Sequence, residues 1–141
     1  MRKFYTATLL LSIIALTGCS KDFLKSYDRR IVGTWEIIDI DRYGFSGNDN
    51  LPFKEGGLFT FTRDGQATYL FNGAAYEGSW DLRTETFGDE SKRALQVTVI
   101  DYNTQQMRSD YFNDMHFVST NRFNAYIEYG SRTYVYRFKR K

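Results

Sequence analysis

Over most of its length the chain alternates apolar and polar residues with a period of two, the pattern of half-buried strands. Residues 31–43 are rich in β-branched and aromatic side chains, and their alternation changes phase at Ile37-Ile38, which predicts a bulge. Residues 58–63 and 66–71 flank Asp64-Gly65, and Asn72-Gly73 then leads into a strand over 74–82. Asp-Gly and Asn-Gly favour tight hairpins because their primed turns need positive φ. In residues 95–102, Leu95, Val97 and Val99 alternate with Gln96 and Thr98. A long strand over 108–119 has a weak point at Asn113-Asp114, and Asn121-Arg122 is a turn. The last two strands, 123–129 and 133–140, flank Gly130-Ser131. Between these runs lie a polar, glycine-containing loop over 44–57 and a charged loop over 83–93.

This pattern gives eight strands with mostly short connections and no segment that keeps a helical period long enough for a major helix. The expected fold is all-β: an eight-stranded antiparallel up-and-down β-barrel, preceded by a short N-terminal helical turn. A β-sandwich is the rival and would need longer crossing connections. Alternating strand direction puts loops 44–57, 72–73, 103–107 and 130–131 at one end, called here the far end. Loops 64–65, 83–93 and 121–122 fall at the near end, where the chain enters.

Ahead of the strands the pattern is different. Arg2 and Lys3 precede a nearly continuous apolar run, residues 7–16, broken only by Thr8 and Ser12. That is half the ~20 residues of a membrane-spanning helix, and it has the make-up of a secretory signal. The run ends in Leu16-Thr17-Gly18-Cys19, which resembles the lipobox of bacterial lipoproteins. The resemblance implies cleavage before Cys19, acylation of its sulfur, and a lasting tether to a lipid leaflet. Ser20, in place of Asp after the cysteine, implies sorting to the outer membrane, on its periplasmic side or at the cell surface. The expected organisation is a signal peptide over 1–18, a lipidated tether over 19–30, and a barrel domain over 31–141. Phe23, Leu24, Tyr27 and Ile31 stand at near-helical spacing, so the tether should end in one helical turn.

Composition narrows the function. The 141 residues include 19 Lys+Arg and 17 Asp+Glu, and without Arg2 and Lys3 the counts are equal. A neutral domain lacks the basic footprint that nucleic acid requires. Cys19 is the only cysteine, so the fold has no disulfide to rely on. It does have 2 Trp, 11 Tyr and 12 Phe, and only Phe4 and Tyr5 precede Cys19.

Gly33-Thr34-Trp35 opens the first strand and resembles the Gly-x-Trp signature of lipocalins. Gly78-Ser79-Trp80 repeats the pattern, as in bacterial lipocalin-like lipoproteins. The resemblance spans about residues 27–140. It implies that Trp35 packs at the closed end of a barrel, with an arginine of the last strand lying across it. Arg140 is the preferred partner and Arg137 the alternative. It also implies a binding role with no cofactor.

Tyr43, Phe45, Phe53, Phe71, Tyr76, Tyr102 and Tyr129 gather near the far end. Amphipathic aromatics at a mouth suit a small hydrophobic ligand or an envelope protein partner. A small barrel can instead be filled by its own side chains. Phe59, Phe61, Tyr69, Trp80, Leu82, Phe117, Phe123 and Ile127 are the candidates for that filling. At the near end Lys21, Lys25, Arg29, Arg30, Lys139, Arg140 and Lys141 either solubilise the chain ends or face an anionic leaflet.

Catalytic patterns are missing. His116 is the only histidine, and no Gly-x-Ser-x-Gly motif accompanies it. One histidine and a lipidated cysteine do not make a zinc site, so no metal is expected. Asp39 and Asp41 share a strand face, too close along the chain to span a glycoside. Asp49 and Glu55 lack the spacing of a calcium loop.

Overall fold

The structure is a computed structural model, and it describes residues 26–44 and 50–141. The expected signal peptide, Cys19 and the tether as far as residue 25, together with Phe45 and Asp49, lie outside the described residues. Among the described residues one short helix, α1 (Tyr27–Ile31), precedes nine strands. These are β1 (Gly33–Tyr43), β2 (Leu58–Phe61), β3 (Gln66–Phe71), β4 (Ala74–Phe87) and β5 (Glu90–Asp101). They continue with β6 (Gln106–Phe112), β7 (Asp114–Ser119), β8 (Arg122–Tyr129) and β9 (Arg132–Arg140).

All nine form one antiparallel sheet in the order β6-β5-β4-β3-β2-β1-β9-β8-β7. The first and last strands pair with each other, from Trp35 opposite Arg140 to Tyr43 opposite Thr133. The sheet's two ends are therefore β6 and β7, which are consecutive in the chain and separated only by Asn113.

Nine strands replace the eight expected because the 108–119 run breaks at its weak point. At the break, two side chains take up backbone donors of distant strands. Asn113 Oδ1 accepts the Glu128 backbone N–H at 2.9 Å, on the β8 side. Asp114 Oδ1 accepts the Arg93 N–H at 3.2 Å, on the β5 side. The two side chains thus hold neighbours on opposite sides of a kink. A second correction concerns the expected charged loop over 83–93. It is strand: β4 and β5 pair as far as Phe87 opposite Glu90, around a Gly88-Asp89 turn.

Other features follow the sequence pattern. Asn72 and Gly73 both take positive φ, 48° and 78°, as a type I′ turn requires. The register of β1 against β9 shifts between Ile37 and Asp39, so the bulge lies where the alternation changes phase. Leu95, Val97 and Val99 face inward along β5.

The core is built from rings. Trp35, Phe53, Phe59, Phe61, Tyr69, Phe112, Phe123, Tyr136 and Phe138 are all essentially inaccessible. Phe123 stacks on Phe138 with centroids 4.2 Å apart, and Phe112 meets Tyr136 edge-on at 5.2 Å. Aromatic pairs of this kind contribute about 0.5–1.5 kcal/mol each beyond their buried area. Among the residues expected to fill the interior, Phe59, Phe61, Tyr69, Phe123 and Ile127 are buried; Trp80, Leu82 and Phe117 only flank the core.

The near end is closed by Trp35. Its indole Nε1 donates to the Ile31 carbonyl at 2.6 Å, which docks the last turn of α1. The Arg140 guanidinium lies over the Trp35 ring, 4.2 Å from its centroid. It donates to the carbonyls of Val32 at 3.0 Å and Arg30 at 2.6 Å. Arg137, the alternative, instead faces Asp39 and Asp41 and pairs with both. Gly33 makes the Arg140 position possible: a Cβ there would stand 2.5 Å from Arg140 Nη1, and its φ is +131°. Gly33→Ala should therefore destabilise the fold by about 1–3 kcal/mol, through backbone strain and displacement of Arg140. A urea unfolding midpoint unchanged from wild type would contradict this reading of Gly33.

Candidate ligand clefts at the far end

The loop between β1 and β2 decides the shape of the far end. Residues 50–57 fold back over the sheet and place Phe53 among the core rings. Phe53 meets Phe59 edge-on at 4.8 Å and Tyr69 at 5.0 Å. Its carbonyl accepts the Tyr136 hydroxyl at 3.3 Å, and the next backbone N–H, Lys54, donates to the Tyr69 hydroxyl oxygen at 3.0 Å. Arg108 reaches across from β6 to donate to the Pro52 carbonyl, with its guanidinium 4.8 Å from the Tyr76 ring centroid.

The loop returns to β1 at the bulge. Ile37 N–H donates to the Gly57 carbonyl at 2.9 Å, and Gly56 N–H to the Ile37 carbonyl at 2.8 Å. Glu55 Oε1 accepts the Ile40 N–H at 3.0 Å, so the bulge's freed donor is satisfied. Gly57 has to be glycine, because a Cβ there would stand 2.4 Å from the Tyr69 ring. The loop is thus a plug held from both sides.

Two open clefts flank the plug. The first, about 520 Å³, is lined by Ile40, Leu51, Phe71 and Tyr134, with Lys54 and Glu55 also on its walls. The second, about 650 Å³, lies between Asn50, Leu51, Pro52 and Lys54 on one side and Gln106, Met107, Arg108, Ser109 and Tyr129 on the other. Leu51 and Lys54 belong to both. Phe53, Phe59, Tyr69 and Tyr136 line neither.

Of the aromatics expected to form a mouth, Phe71 lines the first cleft and Tyr129 the second. Phe53 and Tyr76 are buried instead, because the plug carries Phe53 inward and Tyr69 packs against Tyr76 at 5.8 Å. Tyr43 and Tyr102 are 55% and 65% exposed and line neither cleft. The sequence reading missed Ile40, Leu51, Tyr134 and Arg108. The signal for Leu51 was Leu51-Pro52-Phe53, an apolar triplet with the only proline, set inside a polar loop. A lone arginine in a strand carries no such signal.

Below the second cleft sits a buried carboxylate. Asp110 is 8% exposed, and its Oδ1 accepts the Tyr129 hydroxyl at 2.6 Å and the Tyr111 N–H at 3.1 Å. Burial pushes the Asp110 carboxyl above the usual carboxylate range, against the pull of those two donors. Burial likewise raises the Tyr69 and Tyr136 hydroxyls; at Tyr136 this favours the protonated form that donates to the Phe53 carbonyl, and at Tyr69 the Lys54 N–H that its oxygen accepts pulls the other way.

His116 stacks on Tyr126 with ring centroids 5.1 Å apart. Its Nε2 lies 3.3 Å from the Tyr126 hydroxyl. Among the described residues no group of three or more His, Cys, Asp or Glu is arranged to hold a metal ion. No family model, curated protein or solved structure matches this chain.

The raised Asp110 carboxyl makes a signed prediction. A group whose pKa is higher in the folded state contributes stability below its unfolded pKa of ~3.9 and loses that contribution as pH rises through the folded value. Asp110→Asn keeps an acceptor for Tyr129 without the buried charge. The variant should therefore melt above wild type at neutral pH, and the gap should shrink as pH falls toward 4. A gap that is constant across pH 4–7 would contradict the assignment.

Proposed function

We propose that this protein is a non-enzymatic, lipid-anchored, lipocalin-like module that binds a small hydrophobic ligand at the plugged far end, in the cleft beside Leu51. The observation that carries this reading is the position of Phe53. The interior volume that a hollow barrel would offer a ligand is taken by a side chain of the protein itself. Binding then falls to the rim, where Ile40, Leu51, Phe71 and Tyr134 form an apolar wall in a cleft of about 520 Å³. That size lies within the ~300–1,000 Å³ common for small-molecule sites. Lys54 and Glu55 on the same cleft supply polar handles for orientation.

The barrel part of the proposal is that the kinked β6–β7 run acts as one strand closing the sheet. Its support is the seam: Asn113 and Asp114 bond across to β8 and β5, and the Tyr129 hydroxyl at the end of β8 bonds to Asp110 of β6. The lipocalin-like part draws on Gly33, Trp35 and Arg140, whose glycine leaves room for the arginine over the indole. The anchor is the acylated Cys19 of the lipobox-like stretch, in the outer membrane, on either face. With the chain entering at the near end, the clefts point away from the leaflet.

A second reading, an accessory envelope lipoprotein with no small ligand, takes support from the same filled core. Titration with N-phenyl-1-naphthylamine, using soluble protein from residue 20 onward, separates the two. The binding module gives saturable fluorescence that Leu51→Asp weakens by about tenfold or more, the loss expected for one buried apolar side chain. Tyr102→Ala leaves it unchanged. No saturable binding, or binding indifferent to both Leu51→Asp and Phe71→Asp, overturns the ligand site in favour of the accessory role.

A further inference from the structure

The second far-end cleft, about 650 Å³, differs in character from the first. Its walls are mostly polar, and two cations reach it from segments far apart in the chain: Lys54 from the plug and Arg108 from β6. Among the described residues that line it none is acidic. Lys54 lines both clefts, but its ammonium is held on the side of the second. Its Nζ donates to Asn50 Oδ1 at 3.3 Å, and Asn50 lines the second cleft and not the first.

Neither cation takes part in an ion pair among the described residues. The partner of Lys54 is a neutral amide. Arg108 is fixed by the Pro52 carbonyl and by the Tyr76 ring. Carbonyl acceptors and ring faces position a cation without neutralising it, unlike a carboxylate. The bond to Pro52 uses Nη1, while Nε is buried with no acceptor. A guanidinium presents a two-donor edge, Nε with Nη2, that fits the oxygens of a carboxylate or phosphate. At Arg108 this is the edge left unmatched, and a buried charged donor without an acceptor is costly. The acids closest to the cleft are engaged otherwise. Glu55 lines the first cleft and accepts the Ile40 N–H. Asp110, below the second, takes the Tyr129 hydroxyl and the Tyr111 N–H, and burial favours its uncharged form.

We propose that the second cleft binds a phosphate monoester of a small polar molecule. Such a group carries about two negative charges at neutral pH, matching the two cations, where a carboxylate carries one. The Arg108 fork suits two phosphate oxygens, and Lys54 supplies the second charge. Asn50, Gln106 and Ser109 offer uncharged polar groups to the hydroxyls of the esterified part. The inference goes beyond the hydrophobic-ligand reading and rests neither on it nor on the anchor.

The test uses full-length protein in neutral polyoxyethylene detergent micelles, with NMR of the Arg108 Nε–Hε group during titration. Ionic strength is held constant, so general screening does not change. The probes are glucose 6-phosphate, inorganic phosphate, glucose and acetate. Both phosphates are expected to shift the signal saturably, the ester at lower concentration, and glucose and acetate are not. Lys54→Gln should weaken ester binding about fivefold, the effect of one charge pair at the upper end of the exposed range. Lys139→Gln, the same charge change at the near end, should leave it unaltered. Acetate binding as tightly as the ester would overturn the phosphate assignment, and glucose doing so would overturn recognition by charge. Inorganic phosphate binding as tightly as the ester would reduce the cleft to a seat for an adventitious ion only and overturn the ester assignment. Equal weakening by Lys54→Gln and Lys139→Gln, or no saturable shift with any probe, would overturn the site. Lys54→Gln keeps the backbone N–H that bonds Tyr69, and a wild-type near-ultraviolet dichroism spectrum shows that the plug is retained.

Discussion

Phe53 packed against Phe59 and Tyr69 is the contact on which the far end depends. It converts a loop that could have stood clear of the sheet into part of the core. Once the ring is inside, the loop's backbone polar groups need partners, because burying them unpaired costs about 1–3 kcal/mol each. The Tyr69 and Tyr136 hydroxyls, the Arg108 guanidinium and the β1 bulge supply them. The bulge therefore has a reason beyond strand geometry. It leaves Ile40 N–H for Glu55 and gives the returning loop a place to pair. Gly57 completes the arrangement by leaving space for the Tyr69 ring.

The two ends of the sheet are stabilised by related means. At each, an arginine from a strand lies over an aromatic ring and donates to the carbonyls of a segment that would otherwise be loose. Arg140 does this for the turn after α1 and Arg108 for the plug. The sheet contains no disulfide, and its only cysteine lies ahead of the described residues. Cohesion comes from rings packed edge-on or stacked, and from charge held on ring faces.

Much of the fold was legible because period-two alternation and turn chemistry are local. Asn72-Gly73 needs no knowledge of the rest of the chain, and neither does the phase change at Ile37-Ile38. The failures are cases where a distant partner decides. Arg83 to Arg93 looks like a charged loop because its strand character shows only in pairing between 83–87 and 90–94. The break at Asn113 depends on backbone groups of Glu128 and Arg93 that no local window contains. Phe53 is the costliest miss. An aromatic residue in a polar loop reads as part of a mouth, whereas here it is what fills it.

The central claim is that the space inside the sheet is already occupied by the protein's own side chain. Diffraction from a crystal under xenon pressure measures this directly, since xenon enters dry apolar cavities of modest size. The account predicts no xenon among Phe53, Phe59, Tyr69 and Tyr136 in the wild-type protein, and a bound atom at that position in Phe53→Ala. Xenon bound there in the wild type would mean that the interior is hollow after all, and would contradict the account.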